Sequence, residues 1–470
     1  MRHWYQQVLS RLLLIALLWQ CIVSEDDSAV FRSSAERLEK FFSAVGTQRN
    51  KNGLSLFKKW MQKHGFVLHA NAILKYDKSK GMHCVAKGRI LSEEEIIRTP
   101  SKLLLPPSIP KQRSKLRQFS LKERLVLRLV YEVRKGNNSK WAAYFSILPK
   151  IENMHHPLFW TSTEANILTG TYAQHNLMAK LKGFNKFYDK VVQANVLSPF
   201  PLMEELKWAQ SIVDSRAFTI KKLKGKHRLN NKPFLAPLAD MLNHDPDIKV
   251  GWKLGSVAAN EKNYNKDKKK LSYFRIFTLN AYGPEAGETE LVNNYNNELT
   301  SISMLMNYGF VYDTPTRIDH LPLNIDIPQT LELYEEREMI RDFMGVPKSL
   351  MLYYERPMPD GLLHLTLIIQ MSTDEVTSSV DEEKLLVLES DKHLVNAYTL
   401  LRDTLNTLLT GYGEIAIDGQ HDDDDDVDMR QLYAKRIVRN EIAILDYHLQ
   451  QLDTLISNAQ KRIMHNTEEL

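Results

Sequence analysis

Cysteine is nearly absent from this chain. Only Cys21 and Cys84 occur in 470 residues. If Cys21 leaves with an N-terminal leader, no disulfide framework can form in the mature chain. Long apolar runs are also missing. The one candidate, Leu12 to Val23, is about a dozen residues where a membrane span needs roughly 20, so stable membrane insertion is not expected. Charge of one sign is lacking too: a net charge of +5 is slight for this length and does not argue for nucleic acid as partner. The basic run NYNKDKKK (263–270) reads as a solvated loop. There is no Gly-rich phosphate loop, no Gly-x-Ser-x-Gly elbow, no His-Glu-x-x-His and no paired Cys-x-x-Cys. His155-His156 precedes Pro157 without further ligands, so no metal is expected.

What is present begins at the N-terminus. MRHWYQQVLSRLLLIALLWQCIVSEDDS places Arg2 and Arg11 before the Leu-rich block and Ser24 after it, the order of a secretory signal peptide. We read 1–24 as that signal and the mature chain as lumenal (endoplasmic reticulum) or secreted. An uncleaved anchor and a cytosolic helix are the alternatives, and the chain is cytoplasmic if this segment is no signal. Asn137-Asn138-Ser139 is a glycosylation sequon for that route. The ending Thr467-Glu468-Glu469-Leu470 imperfectly resembles the Lys-Asp-Glu-Leu retrieval address.

Periodicity organises the remainder. Residues 33–45 and 54–66 carry helical spacing, and 66–105 alternates short β-rich runs with turn residues. Pro106, Pro107 and Pro110 break that pattern. A helical stretch opens with SLKERLVLRLVYEVRKG at 120, strands return over 272–295, and helices resume from about 330. The strongest helix is Met429 to Met464, whose apolar residues recur at three and four. The expectation is an α+β chain: a β-rich domain with N-terminal helices and its first part over 25–118, a helical insert at 119–225, a second β-rich part at 226–315, and an all-α C-terminal domain at 325–470. The acidic stretch 421–428, with five consecutive aspartates (Asp422–Asp426), reads as a solvated loop. It lacks the glycine and spaced ligands of a calcium loop.

PLADMLNHDPD (237–247) places Asp240, Asn243 and His244 within five residues of an otherwise apolar segment. Two readings stand. One is a helix end with an Asn cap and a satisfied histidine; the other is a cofactor site.

Several segments, in order, carry a family pattern: GNNSKWAAYFSILP (136–149), PLFWTSTEANILTGT (157–171), LKWAQSIVDSRAF (206–218), PFLAPLADMLNHDPD (233–247), ETELVNNYNNELTSISMLMNYGFV (288–311) and PDGLLHLTLIIQM (359–371). Together they resemble the SET-domain methyltransferases of the Rubisco large-subunit methyltransferase type, a non-histone group that includes the actin-histidine methyltransferase. The resemblance covers roughly residues 54–470. It implies a β-rich SET domain split by a helical insert, then a helical substrate-binding domain that receives a protein substrate. It also implies S-adenosyl-L-methionine as cofactor and methyl transfer to a lysine or histidine side chain.

The resemblance further assigns residues. Asn243 would contact the cofactor through its amide and His244 through its backbone, with Asp240 in the same motif. Arg216 would hold the cofactor carboxylate, since a guanidinium makes the paired hydrogen bonds that group needs. Gly81 and Met82 belong to the first cofactor loop, and Glu95-Ile96 stands for a later pair. Tyr295 and Tyr308 match the two family tyrosines whose hydroxyls orient the attacking nitrogen. The sequence departs from the pattern at Ser79, in place of the loop's first glycine, at Asn296, and at Ser301, in place of an asparagine. The altered loop keeps a second reading open, a catalytically silent SET-like module that binds a protein in the secretory pathway.

Overall fold

The structure, a computed structural model, describes residues 25–45, 51–77, 80–220, 229–256, 272–282, 288–381, 390–412 and 428–468. The signal segment, the run 263–270, the aspartates 422–426 and the final Glu469-Leu470 lie outside them. The chain divides into two compact units, one of residues 1–153 with 186–294, the other of 154–185 with 295–470. The stretch 119–225 thus contributes to both.

Among its described residues, the first unit contains ten strands. They are β1 (Val67–Leu68), β2 (Ala72–Asp77), β3 (Gly81–Ala86), β4 (Glu95–Pro100), β5 (Ala217–Thr219), β6 (Pro233–Leu235), β7 (Asn243–His244), β8 (Val250–Ser256), β9 (Ser272–Thr278) and β10 (Thr289–Asn293). One sheet runs β1-β4-β9-β8, a second β2-β3-β10-β7, and β5 pairs with β6. Phe218, Phe234, Trp252 and Phe274 pack edge to face at 5.1–5.5 Å between centroids, a geometry aromatic rings favour. This cluster holds β5, β6, β8 and β9 together.

Helices wall this unit. Leu121–Val133 begins at a complete capping box, Ser120 with Glu123, as Ser-x-x-Glu before an apolar run predicts. Its end is fixed by Arg134, whose Nε donates to Glu205 Oε1 at 2.9 Å and whose Nη2 donates to Oε2 at 2.5 Å. Glu205 is buried, and such a carboxylate left unpaired costs several kcal/mol. The fork therefore ties this helix to Met203–Arg216. Trp208, fully buried on the latter, donates Nε1 to Pro149 O at 2.9 Å.

The second unit is mostly helical, with a two-stranded antiparallel sheet of β11 (His320–Asn324) and β12 (Ser349–Tyr353). Its long helix Met429–Glu468 buries Ala434, Ile437, Val438, Ile444, Leu445, Leu452 and Ile456, a stripe at helical spacing. Of that stripe, Ile444, Leu445 and Leu452 pack with Leu401 and Leu405 of helix Asp391–Thr410 and with Leu321, Leu323 and Leu352 of the small sheet, while Ala434, Ile437 and Val438 pack with Leu168, Ala173 and Leu305. Among the described residues, no helix is long and apolar enough to cross a membrane.

Candidate functional site

The motif 237–247 is not a helix end. Asp240 sits on a single 3-10 turn, Ala239–Met241, and Asn243-His244 forms β7, paired in parallel with Val292 and Asn293 of β10. The reason lies in β10, which offers backbone partners that a local cap cannot. Asn293, itself buried, receives Asp245 N on its carbonyl at 3.1 Å, its side-chain oxygen accepts Trp252 Nε1 at 3.3 Å, and Asn294 Nδ2 donates to Pro246 O at 2.8 Å. Just before the turn, the fully buried Leu238 has φ +76°. A branched side chain in that region costs of order 1–3 kcal/mol, and such strain gathers at functional sites. Thr99 Oγ1, donating to Pro237 O at 2.8 Å, helps hold the strained backbone.

Asn243 and the first loop meet at Glu290. Asn243 Nδ2 donates to Glu290 Oε1 at 2.8 Å and to Lys80 O at 3.4 Å, while Lys80 Nζ donates to Glu290 Oε2 at 2.7 Å. Gly81 follows with φ +68°, and a Cβ built on it would meet nothing within 4 Å. The glycine is thus needed for its backbone conformation, and the space beside it is open for close approach of a ligand. Met82 is buried, opposite Tyr76.

Asp240 forms the interior of the site. It is buried, its Oδ2 accepts the Tyr144 hydroxyl at 2.5 Å, and its backbone carbonyl accepts Arg216 Nη1 at 2.7 Å. The Arg216 guanidinium stands 3.8 Å from Oδ2. Burial pushes the carboxyl up to about 6, against the opposing pull of Arg216 and Tyr144. The same burial, with the negative charge of Asp240, pushes the Tyr144 hydroxyl well above its usual range. Asp240 Oδ1 and Arg216 Nε are buried without a hydrogen-bond partner, which a bound polar group would satisfy. Cys84, on β3, has its thiol pushed up to about 12, first by burial and then by Glu290 and Asp240. It is an inert core residue.

Glu95 and Ile96 lie on β4, in the other sheet. Ile96 is fully buried. Glu95 accepts from Arg98 Nε at 2.5 Å and from the Arg275 guanidinium. Arg98 and Arg275 face each other across β4 and β9, so Glu95 offsets a like-charge pair. Its carboxylate is taken up there rather than at the Gly81–Asn243 cluster.

The second unit holds the tyrosines. Tyr295 and Tyr308 stack with centroids 4.8 Å apart and planes 23° from parallel. Both are half-buried. Tyr308 ends helix Ser301–Tyr308, and Gly309 closes that helix with φ +77°. A Cβ on Gly309 would come within 2.8 Å of His156 N, so glycine is required there. Ser301 is buried at the other end, its N–H and hydroxyl donating to Asp319 at 2.5 and 2.8 Å. That carboxylate fixes the start of the helix carrying Tyr308.

Sequence reasoning missed Tyr144, Glu290, Asn293 and Asp319. Tyr144 was within reach, since it falls three residues after Trp141 in a quoted segment. Glu290 and Asn293 also fall in a quoted segment, 288–311, while Asp319 lies outside every quoted segment. Among the described residues, no group of three or more His, Cys, Asp or Glu could hold a metal.

No protein-family model matches the chain. Over 357 residues it is 22% identical to the ribulose-1,5-bisphosphate carboxylase/oxygenase large subunit N-methyltransferase of Pisum sativum, covering 71% of this chain and 68% of that protein. Over 366 residues it is 23% identical to the fructose-bisphosphate aldolase-lysine N-methyltransferase of Arabidopsis thaliana, covering 74% and 70%. The solved structure of Rubisco LSMT bound to AdoMet superposes with a TM-score of 0.64 at 18% identity, over 87% of this chain and 93% of that one. The chain carries the SET-domain fold of the Rubisco large-subunit methyltransferase group and is a homologue of its members.

Proposed function

We propose that this chain is an S-adenosylmethionine-dependent protein N-methyltransferase acting on a lysine side chain of a non-histone protein. One observation carries the reading: in a fold shared with methyltransferases, Gly81, Asn243 and the Arg216–Asp240 pair all gather in the first unit. Lysine is named because the relatives above are large-subunit and aldolase-lysine N-methyltransferases. The residues fit the cofactor. The backbone at Gly81 is open, and the buried Arg216 Nε and Asp240 Oδ1 have polar valence left over.

When bound, the cofactor supplies a methyl carbon already activated by its sulfonium. The protein is left to orient, to exclude water and to let the amine lose its proton. Arg216 would hold the cofactor carboxylate, and Asn243 through its amide and His244 through its backbone would contact the cofactor. The Tyr295 and Tyr308 hydroxyls accept from and align the attacking amine, and the helical region 325–470 receives the protein substrate. Calorimetric titration of residues 25–470 should show S-adenosylmethionine binding; none at millimolar cofactor overturns the reading. Tyr295→Phe should lower the methylation rate about 100-fold while the thermal melt is unchanged.

We further propose that 1–24 is cleaved and that the mature chain resides in the secretory pathway. Asn137 is exposed and would carry a glycan without disturbing the core. Mass spectrometry of the cellular protein should find a new N-terminus near residue 25. A cytosolic chain that retains residues 1–24 overturns this proposal.

A further inference from the structure

The net charge of +5 conceals an uneven distribution. Residues 101–122 contain Lys102, Lys111, Arg113, Lys115, Arg117 and Lys122 and no acid, so this one stretch carries six positive charges. Residues 229–237 likewise contain no Asp or Glu. The two stretches come together in the first unit, where Leu105 and Leu235 exchange backbone hydrogen bonds at 2.9 and 3.1 Å.

Two adjoining cavities of about 430 and 570 Å³ open along this seam, sharing Pro106, Ser108, Pro110 and Leu229. Among the described residues, no acidic side chain lines either one. The floor is apolar, with buried Pro107, Ile109, Leu116 and Leu229. The rim is cationic, with exposed Lys102, Lys111 and Arg113 and half-buried Arg124 and Lys232. Arg124 is turned onto the backbone carbonyls of Phe119 and Arg117 at 2.8 and 3.0 Å, neutral acceptors that leave its charge in place. The local field reaches a neighbouring group. The His64 imidazole is driven below its usual range, by burial first and then by Lys102, Lys63 and Lys140.

We propose that this groove docks an extended segment of a partner protein in which acidic residues alternate with apolar ones. The apolar floor takes the hydrophobic side chains, and the cationic rim takes the carboxylates. Alternation suits both, because an extended chain points successive side chains to opposite sides. A nucleic-acid strand fits less well. Sequence-tolerant binding of single strands relies on exposed aromatic rings for stacking. Among the described residues, the one aromatic lining this groove, Trp141, is buried and donates Nε1 to Leu103 O at 2.7 Å. This inference does not depend on the methyltransferase reading.

The test uses a fluorescein-labelled peptide alternating glutamate with leucine and phenylalanine, titrated with residues 25–470 by anisotropy. Binding should weaken at least tenfold between low and high salt, as screened charge pairs do. It should weaken at least tenfold again in the triple variant Lys111→Glu, Arg113→Glu, Lys232→Glu, whose circular dichroism melt should match the parent. If the triple variant melts early, Arg113→Gln alone serves, with a smaller loss of the same sign. A peptide of glutamate and serine should bind more weakly than the apolar-containing one. Equal affinity for parent and charge-altered proteins, or no binding of the alternating peptide, overturns the proposal. So does a single-stranded oligonucleotide that binds more tightly and displaces the peptide.

Discussion

Two buried carboxylates, one from each unit, are handled differently. Glu441, on the long C-terminal helix, has both oxygens occupied. Oε1 accepts Ala173 N at 2.7 Å, and Oε2 accepts Tyr172 N at 2.8 Å and the Tyr412 hydroxyl at 2.7 Å. Those N–H groups open helix Tyr172–Ala194, where donors lack intrahelical partners and negative charge is favoured. Asp240, in the first unit, has one oxygen on Tyr144 and the other unsatisfied, beside an arginine with an unsatisfied Nε. Burial raises both acids, to about 7 and about 6. A completed bond set marks Glu441 as a structural joint, while the incomplete set around Asp240 marks a place built to receive something.

The comparison can be broken by substitution. Glu441→Ala should lose about 3 kcal/mol or more in urea unfolding at neutral pH, because three donors are orphaned at about 1–3 kcal/mol each. Tyr144→Phe should cost about 1–3 kcal/mol, and more than Tyr412→Phe, since Asp240 would keep no side-chain donor while Glu441 keeps two N–H groups. Asp240→Asn leaves Tyr144 an acceptor, so stability should change by under about 1 kcal/mol. Cofactor affinity should then fall about tenfold by calorimetry, through loss of the charge that seats Arg216. A loss of stability as large as that of Glu441→Ala, with affinity unchanged, would erase the distinction.

The smallest effect is on a slope. Both acids bind protons more readily folded than unfolded, so each favours the folded state at low pH, and that contribution is lost as pH rises. The window runs from about the ordinary carboxyl range up to about 6 for Asp240 and about 7 for Glu441. Thermal melts across pH 4–8 should decline less steeply in Glu441→Gln than in the parent over that window. An unchanged slope would show that Glu441 is charged at no cost.

The legible parts of the chain were those whose reasons are local. The capping box at Ser120, the strands over 272–295 and the apolar stripe of the last helix follow from residues a few positions apart. PLADMLNHDPD was visible as chemistry but not as geometry. The pairing that makes Asn243-His244 a strand comes from residues 49 positions later, and Tyr144 lies 96 positions before Asp240. Glu95 shows the converse. Its motif position suggested a cofactor contact, while two arginines brought together by strand register engage its carboxylate. The sheet of β11 and β12 was hidden because Pro322 and its short strands give little alternation to read.

The order of strands in the second sheet carries a consequence for how the chain acquires its site. β10 lies between β3 and β7, with Leu291 opposite Cys84 and Val292 beside Asn243. Contacts spanning so much sequence form late, after loop closure has brought distant segments together. A growing chain that ends before Thr289 has every residue of PLADMLNHDPD yet lacks the strand that aligns them. Methyl-donor binding should therefore appear abruptly in a series of C-terminally extended fragments, rather than accumulate in proportion to the motif residues present.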